Sequence, residues 1–219
     1  MASRPTQAEP RPQPRLYLLT PALADTAAFA APLAAALAVA DVAAVLLRFE
    51  DADERTLINR AKALAATVQS AGAALILDGH PDLVARAGAD GVHLTGLDDF
   101  AQTLERLKPD RIVGVGGLAT RHDCMLVAEQ GADYAMFGRP DSTGRRPPFE
   151  AIEERVGWWA ELFELPAVAY AESLDEIAPL IAAGADFVAL GDWLWRDEGA
   201  RAATLQAAAA QLRLPESIT

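Results

Sequence analysis

Cysteine is almost missing: Cys124 is the only one in 219 residues. No disulfide can form within the chain, and nothing marks a secreted, cross-linked scaffold, so the default setting is a reducing cytoplasm. With no histidine motif around it, Cys124 reads as a small buried helix residue rather than a nucleophile. Basic residues are outnumbered, 19 against 31 acidic, for a formal net charge of −12. That balance argues against nucleic acid and against anionic membrane surfaces as partners, since both need a basic face. Histidine is scarce as well, and His80, His93 and His122 show no HExxH-type metal spacing. No clean apolar run is long enough to span a bilayer. The alanine-rich stretch from Ala27 to Phe49 is broken by Pro32 and Asp41 and reads as a helix followed by a buried strand. The opening MASRPTQAEPRPQPR has no apolar centre and is no signal peptide. Its prolines and polar residues predict a disordered arm over residues 1–14, ahead of a barrel over 15–214 and a short tail over 215–219.

Hydrophobic residues are plentiful, at 52%, enough for a sizeable core in one domain of this length. Three phrases recur: GADGVHL from Gly88, GADYAMFG from Gly131 and GADFVALGD from Gly184. Each sets glycine, alanine and aspartate directly before an apolar run. This is the pattern of a helix that stops at a left-handed glycine and turns tightly into a buried strand. The spacings, 43 and 53 residues, are about two strand–helix units each, so an unmarked strand should lie in each gap. RIVGV (111–115) and PAVAY (166–170) fill those gaps, and RLYLLT (15–20), AAVLLR (43–48) and AALIL (73–77) precede the first phrase. Apolar runs without alternation suit strands buried on both faces. The segments between them carry apolar residues at helical spacing. Eight such alternations predict a single (β/α)8 TIM barrel of the α/β class. A doubly wound open sheet is the alternative, weakened by the lack of GxGxxG after the first strand.

In such a barrel the chemistry sits at the carboxyl ends of the strands, which fixes where to look. Arg48 ends strand 2, and a guanidinium there needs an anion or a carboxylate partner, with Glu50 or Asp78 the local choices. Asp78 follows strand 3 and Asp98 follows strand 4. The longest interior loop, GRPDSTGRRPP (138–148), offers Arg139, Ser142, Thr143, Arg145 and Arg146. Hydroxyls, amides and guanidinium groups together suit a phosphate, and a solvated, mobile loop is the plainer alternative. Tyr170 and Ser173 follow strand 7, and Gly191 and Trp193 follow strand 8. His93 lies inside strand 4 and faces either the barrel interior or the helices.

RLYLLT, DLVARAGADGVHLTG and GADYAMFG are similar to stretches of the thiamin phosphate synthase and thiazole tautomerase superfamily, and the likeness runs from about Arg15 to Trp195. The resemblance implies a transferase that joins a pyrimidine diphosphate to a thiazole phosphate and releases pyrophosphate with the help of magnesium. It also implies where this chain departs. The superfamily's Gln-x-Arg-x-Lys reads Leu46, Arg48 and Glu50 here. Its Asn-Asp after strand 3 reads Asp78–Gly79, its Ser-Thr after strand 5 reads Gly116–Gly117, and its Gly-Gly phosphate cradle after strand 7 reads Ala171–Glu172. Asp192 and Trp193 stand where a second phosphate-binding turn belongs. The tautomerase histidine after strand 5 falls near Leu118 and Ala119, with His122 a helical turn later. On this reading Arg48, Asp78 and Asp98 are the catalytic candidates, Asp78 and Asp98 hold magnesium weakly, and the loop arginines with Tyr170, Ser173, Gly191 and Trp193 bind substrate or phosphate. Three functions stay open: a divergent synthase; a repurposed, catalytically inactive paralogue binding another small ligand; and an enzyme of different chemistry on the same fold. The expected partner is a small molecule, with a homodimer also open.

The arm is expected to contribute few contacts. Removing residues 2–12 should leave the melting temperature within about two degrees; a large loss in a thermal denaturation scan would show that it packs on the barrel.

Overall fold

The structure, a computed structural model, describes residues 12–213. The expected C-terminal tail, and all but the last three residues of the expected arm, lie outside the described residues. Strands and helices alternate through the chain: β1 (Arg15–Leu23), α1 (Thr26–Val39), β2 (Val42–Phe49), α2 (Glu54–Ser70), β3 (Ala74–Asp78), α3 (Val84–Ala87), β4 (Gly91–Thr95), α4 (Phe100–Leu107), β5 (Ile112–Gly116), α5 (Arg121–Gln130), β6 (Tyr134–Phe137), α6 (Phe149–Leu162), β7 (Ala167–Ala171), α7 (Ile177–Ala183), β8 (Phe187–Leu190), α8 (Asp192–Trp195) and α9 (Arg201–Gln211). All eight strands are parallel and close in sequence order, with β8 returning to β1 through Leu16 opposite Val188 and Leu18 opposite Leu190. That closure excludes the open sheet.

The glycine–alanine–aspartate phrases act at the lower rim. Gly88, Gly131 and Gly184 sit at φ of 70°, 89° and 106° and end α3, α5 and α7 in the left-handed turn. The aspartate that follows then grips the strand before it at two points. Asp90 donates its amide to the Leu75 carbonyl at 2.8 Å and accepts the Leu75 amide on its carboxylate at 2.7 Å. Asp133 does the same to Val113, and Asp186 to Ala167. A fourth Ala-Asp pair, Ala40–Asp41, precedes β2, and its carboxylate takes the Arg15 side chain of β1 in a fork at 2.9 and 2.7 Å. Every even-numbered strand is therefore latched to the start of the odd-numbered strand before it.

Above the rim, alternate residues divide two apolar layers. Leu16, Leu18, Val45, Leu47, Leu75 and Leu77 face the helices and pack with Phe100 and Trp159. Tyr17, Leu19, Leu46, Ile76, Tyr134, Met136, Val168, Tyr170 and Ala189 fill the barrel. The two tyrosines at the bottom need room. A Cβ on Gly114 would lie 1.9 Å from Cζ of Tyr134, so the ring lies across a position that only glycine leaves open. Tyr17 and Tyr134 share a hydroxyl–hydroxyl bond of 2.8 Å, and His93 Nδ1 lies 3.1 Å from the same Tyr134 oxygen. His93 thus faces inward, 1% exposed, with its ring stacked on Tyr134. Burial pulls its pKa down, only partly offset by Asp78, to about 4, so the imidazole is neutral near pH 7.

Strand β1 runs past its expected end at Thr20. Its register shifts between Leu19 and Ala22, which pairs with Arg48, while Thr20 Oγ1 accepts the Arg48 amide at 3.0 Å. The side-chain bond carries the chain across Pro21, which has no amide to donate.

Gly114→Ala should overpack the barrel floor and cost about 1–3 kcal/mol, read as a lower urea midpoint. The unfolded chain takes up a proton on histidine near pH 6.5, while folded His93 resists protonation down to about 4. The stability this contributes is complete above pH 6.5 and is lost as the pH falls towards 4. Urea midpoints at pH 7 and pH 5 should therefore separate more in the unaltered protein than in His93→Gln. Equal separations would mean that another group carries the slope.

Candidate active site

At the upper rim, Asp78 ends β3 with its side chain 19% exposed, on the inward register of Ile76. Arg139, two residues beyond β6, reaches across the mouth. Its two terminal nitrogens meet the two carboxylate oxygens at 2.9 and 2.5 Å. Such a planar fork is the strongest pairing a guanidinium makes. Burial pushes the Asp78 carboxyl up, but the hydrogen bonds and charge of Arg139, with His93 and Arg48 behind them, hold it below the ordinary carboxylate range.

Arg48 stands on the other side of the mouth. Its Nη1 donates to Asp192 at 2.8 Å and to the Thr20 carbonyl at 3.3 Å, and its Nε lies 3.8 Å from Asp78. Of the carboxylates the sequence offered, Asp78 takes part and Glu50 does not. Glu50 is exposed, and only its backbone is engaged, its amide by the Leu23 carbonyl and its carbonyl by Arg60. The mouth is thus crossed by a chain of alternating charge, Asp192–Arg48–Asp78–Arg139.

The 138–148 loop splits into two parts. Asp141 organises its tip: one carboxylate oxygen accepts the Thr143 amide and hydroxyl and the Arg145 amide. Ser142, Thr143 and Arg145 are exposed, with Arg145 3.5 Å from the other Asp141 oxygen. Arg146 turns inward instead. Its side chain is only 11% exposed and lies 2.9 Å from Glu172 and 3.0 Å from Glu176. It also donates to the Tyr170 carbonyl and lies over the Tyr170 ring.

Past β7 and β8 the geometry is equally closed. The Glu172 amide, in the turn that the resemblance makes a phosphate cradle, donates to Glu176 Oε2 at 2.7 Å. Ser173 is half-buried ahead of the 3-10 turn Leu174–Glu176. Tyr170 is buried, and its hydroxyl would lie 2.6 Å from a Cβ on Gly191, so that glycine makes room for the tyrosine. Trp193 donates its indole N–H to the Ala171 carbonyl at 2.8 Å and ties α8 to the end of β7. Asp98 is exposed between β4 and α4, without a hydrogen bond or ion pair to another described residue. Among the described residues no three histidines, cysteines, aspartates or glutamates gather where they could hold a metal ion. Magnesium needs near-octahedral oxygens, and both oxygens of Asp78 already serve Arg139; the donor set in this arrangement does not fit the ion. His80 is exposed in a left-handed turn at φ 58°, and His122 is exposed in the first turn of α5.

Another opening on this face lies beside the mouth. It is a cleft of about 510 Å³ between the β5–α5 and β6–α6 loops. Arg155 of α6 lines it, a residue that the search along strand ends passes over. A signal existed: Arg155 falls on the buried stripe of α6 between Ile152 and Trp159, where a charge needs a reason.

Comparison with known proteins agrees with this architecture. Residues 16–193 match the model of the family described as thiamine monophosphate synthase. The chain is 42% identical over 194 residues to a thiamine-phosphate synthase of Rhodospirillum centenum, covering 87% of this chain and 94% of that one. It is 36% identical over 209 residues to the Hyphomonas neptunium protein of the same name, covering 91% and 94%. Among solved structures it is similar to thiamine phosphate pyrophosphorylase from Pyrococcus furiosus, with a TM-score of 0.75 at 19% identity, covering 91% of this chain and 96% of the other; at that identity the likeness speaks for the fold. A family match across most of the barrel, with relatives above 30% identity over nearly its whole length, settles the lineage: the chain belongs to the thiamine monophosphate synthase family.

Proposed function

We propose that this is a thiamin phosphate synthase-type barrel that binds a phosphorylated pyrimidine or thiazole-like small molecule, with the part of the site that would hold a diphosphate degenerate and internally neutralised. The observation that carries the reading is the fork between Arg139 and Asp78. Asp78, a carboxylate that the resemblance assigns to magnesium, is spent on a cation, and that cation is spent on it. Arg48 is held by Asp192 and Arg146 by two glutamates, so arginines the family reading assigns to phosphate already have anions. A substrate phosphate must displace them, and at a few ångströms from Asp192 or Glu172 it meets like charge worth about 1–4 kcal/mol per pair. What this chain's residues do supply is a mouth whose Asp78 and Arg139 are largely out of solvent and a neutral imidazole beneath it, His93, whose Nε2 is buried without a partner among the described residues. A reducing, cytoplasmic setting agrees with the single buried thiol of Cys124.

An active, divergent synthase is the second reading. The names of the relatives and the retention of Arg48 and Asp98 favour it. Incubating the pure protein with the pyrimidine diphosphate, the thiazole phosphate and magnesium, and measuring thiamin phosphate, separates the two. Two missing charge-assisted contacts at about 1.5–3 kcal/mol each predict turnover roughly 10²- to 10⁴-fold below an intact site. Magnesium–pyrophosphate should bind in the millimolar range or more weakly by calorimetry. Glu50→Lys with Gly79→Asp should strengthen it; Gly79 sits at φ 70° with open space around it, a turn that aspartate tolerates better than most residues. Micromolar binding by the unaltered protein, or turnover at ordinary rates, would overturn the degenerate-site reading.

A further inference from the structure

The arginines of the upper face are not all paired with carboxylates. Arg48, Arg139 and Arg146 each have a carboxylate within 3.0 Å. Arg155 has none. Its Nη1 makes a long contact of 3.4 Å with the Leu118 carbonyl and touches Cys124 Sγ at 4.0 Å, and among the described residues nothing else bonds or pairs with its side chain. The rest of the guanidinium is not sealed away, since it is absent from the buried polar groups without partners. It is half-buried, projects from the core stripe of α6, and opens onto the cleft of about 510 Å³.

An unpaired guanidinium on a buried stripe is costly unless an anion visits it. The cleft has the size of small-molecule sites, which run from about 300 to 1,000 Å³. Gly117, Leu118 and Ala119 form one wall, Met136 belongs to the barrel interior beneath, and Arg145 stands on the opposite loop. The one carboxylate on the lining, Asp141, already serves Thr143 and Arg145. Arg145 itself is 82% exposed and 3.5 Å from Asp141, a surface pair that costs little to open. In a chain of net charge −12, this is a local surplus of positive charge, while the β7 and β8 turns present Glu172 and Asp192.

We infer that the cleft between the β5–α5 and β6–α6 loops binds the phosphate monoester end of the ligand, with Arg155 as the fork that receives it and Arg145 closing over it from the loop. The inference rests on the proposed phosphorylated ligand and moves its anion from the β7 and β8 turns to the β5–β6 side. The planar guanidinium of Arg155 matches two phosphate oxygens at once.

Calorimetric titration with inorganic phosphate tests it. The unaltered protein should bind saturably, Arg155→Gln at least tenfold more weakly, and Arg155→Lys in between, because the charge survives without the fork. Arg145→Gln, on an exposed loop whose loss cannot unfold the barrel, should weaken binding a few-fold. Arg86→Gln, which removes an equal charge from a surface pair with Glu54, should change nothing. No saturable binding by the unaltered protein, full affinity in Arg155→Gln or in Arg145→Gln, or an equal loss in Arg86→Gln would each overturn the assignment. Those outcomes leave the degenerate-site reading standing, because it is decided by turnover and magnesium–pyrophosphate affinity; ordinary turnover with the Arg155 effect intact would sink that reading alone.

Discussion

The carboxylate of Asp78 organises the upper half of the barrel. It stands at the end of β3, largely out of solvent, and such a charge is tolerable only with partners that replace its water. Arg139 supplies two hydrogen bonds and Arg48 a third, longer contact. Once Arg48 leans on Asp78 it also needs Asp192, and the β8 turn must bring that residue within reach. The Arg139 fork, in turn, sets where the β6–α6 loop begins. Gly138 ahead of it, at φ 82°, passes so close to α6 that a Cβ would meet Ile152 at 2.9 Å. The positions of three loops follow from one negative charge.

The same logic explains why the β7 side is closed. A turn that accepts phosphate has free amides and no fixed anion nearby. Here Glu176 folds back on the Glu172 amide and Arg146 bridges both glutamates. An anion, a cation and an amide donor are all present, but the anion belongs to the protein.

Much of the fold was legible because its signals are local. A glycine that ends a helix and an aspartate that starts the next strand lie side by side in the sequence, and three such phrases sufficed to space the whole barrel. The fourth, Ala40–Asp41, lacks the glycine and so escaped notice. The site was less legible because its partners are remote. Asp78 and Arg139 are 61 positions apart, and Arg48 and Asp192 are 144; nothing in the chain between them announces the pairing. Arg145 and Arg146 are neighbours of one residue type, yet one lies in solvent and the other under Tyr170 and two glutamates. What separates them is acidic residues 26 and 30 positions further on.

The four aspartate latches also bear on how such a chain finds its shape. Each joins partners only 15 to 26 residues apart, from Asp90 on Leu75 to Asp41 on Arg15, so each strand–helix–strand segment can be checked for register soon after it is made. The seam between β8 and β1, with α9 against α1, joins the two ends of the described chain. Contacts of short reach form quickly because little loop entropy opposes them. Assembly then becomes a matter of joining four pre-registered quarters around one late seam, carried out at the lower rim and independent of whatever chemistry the upper rim has kept or lost.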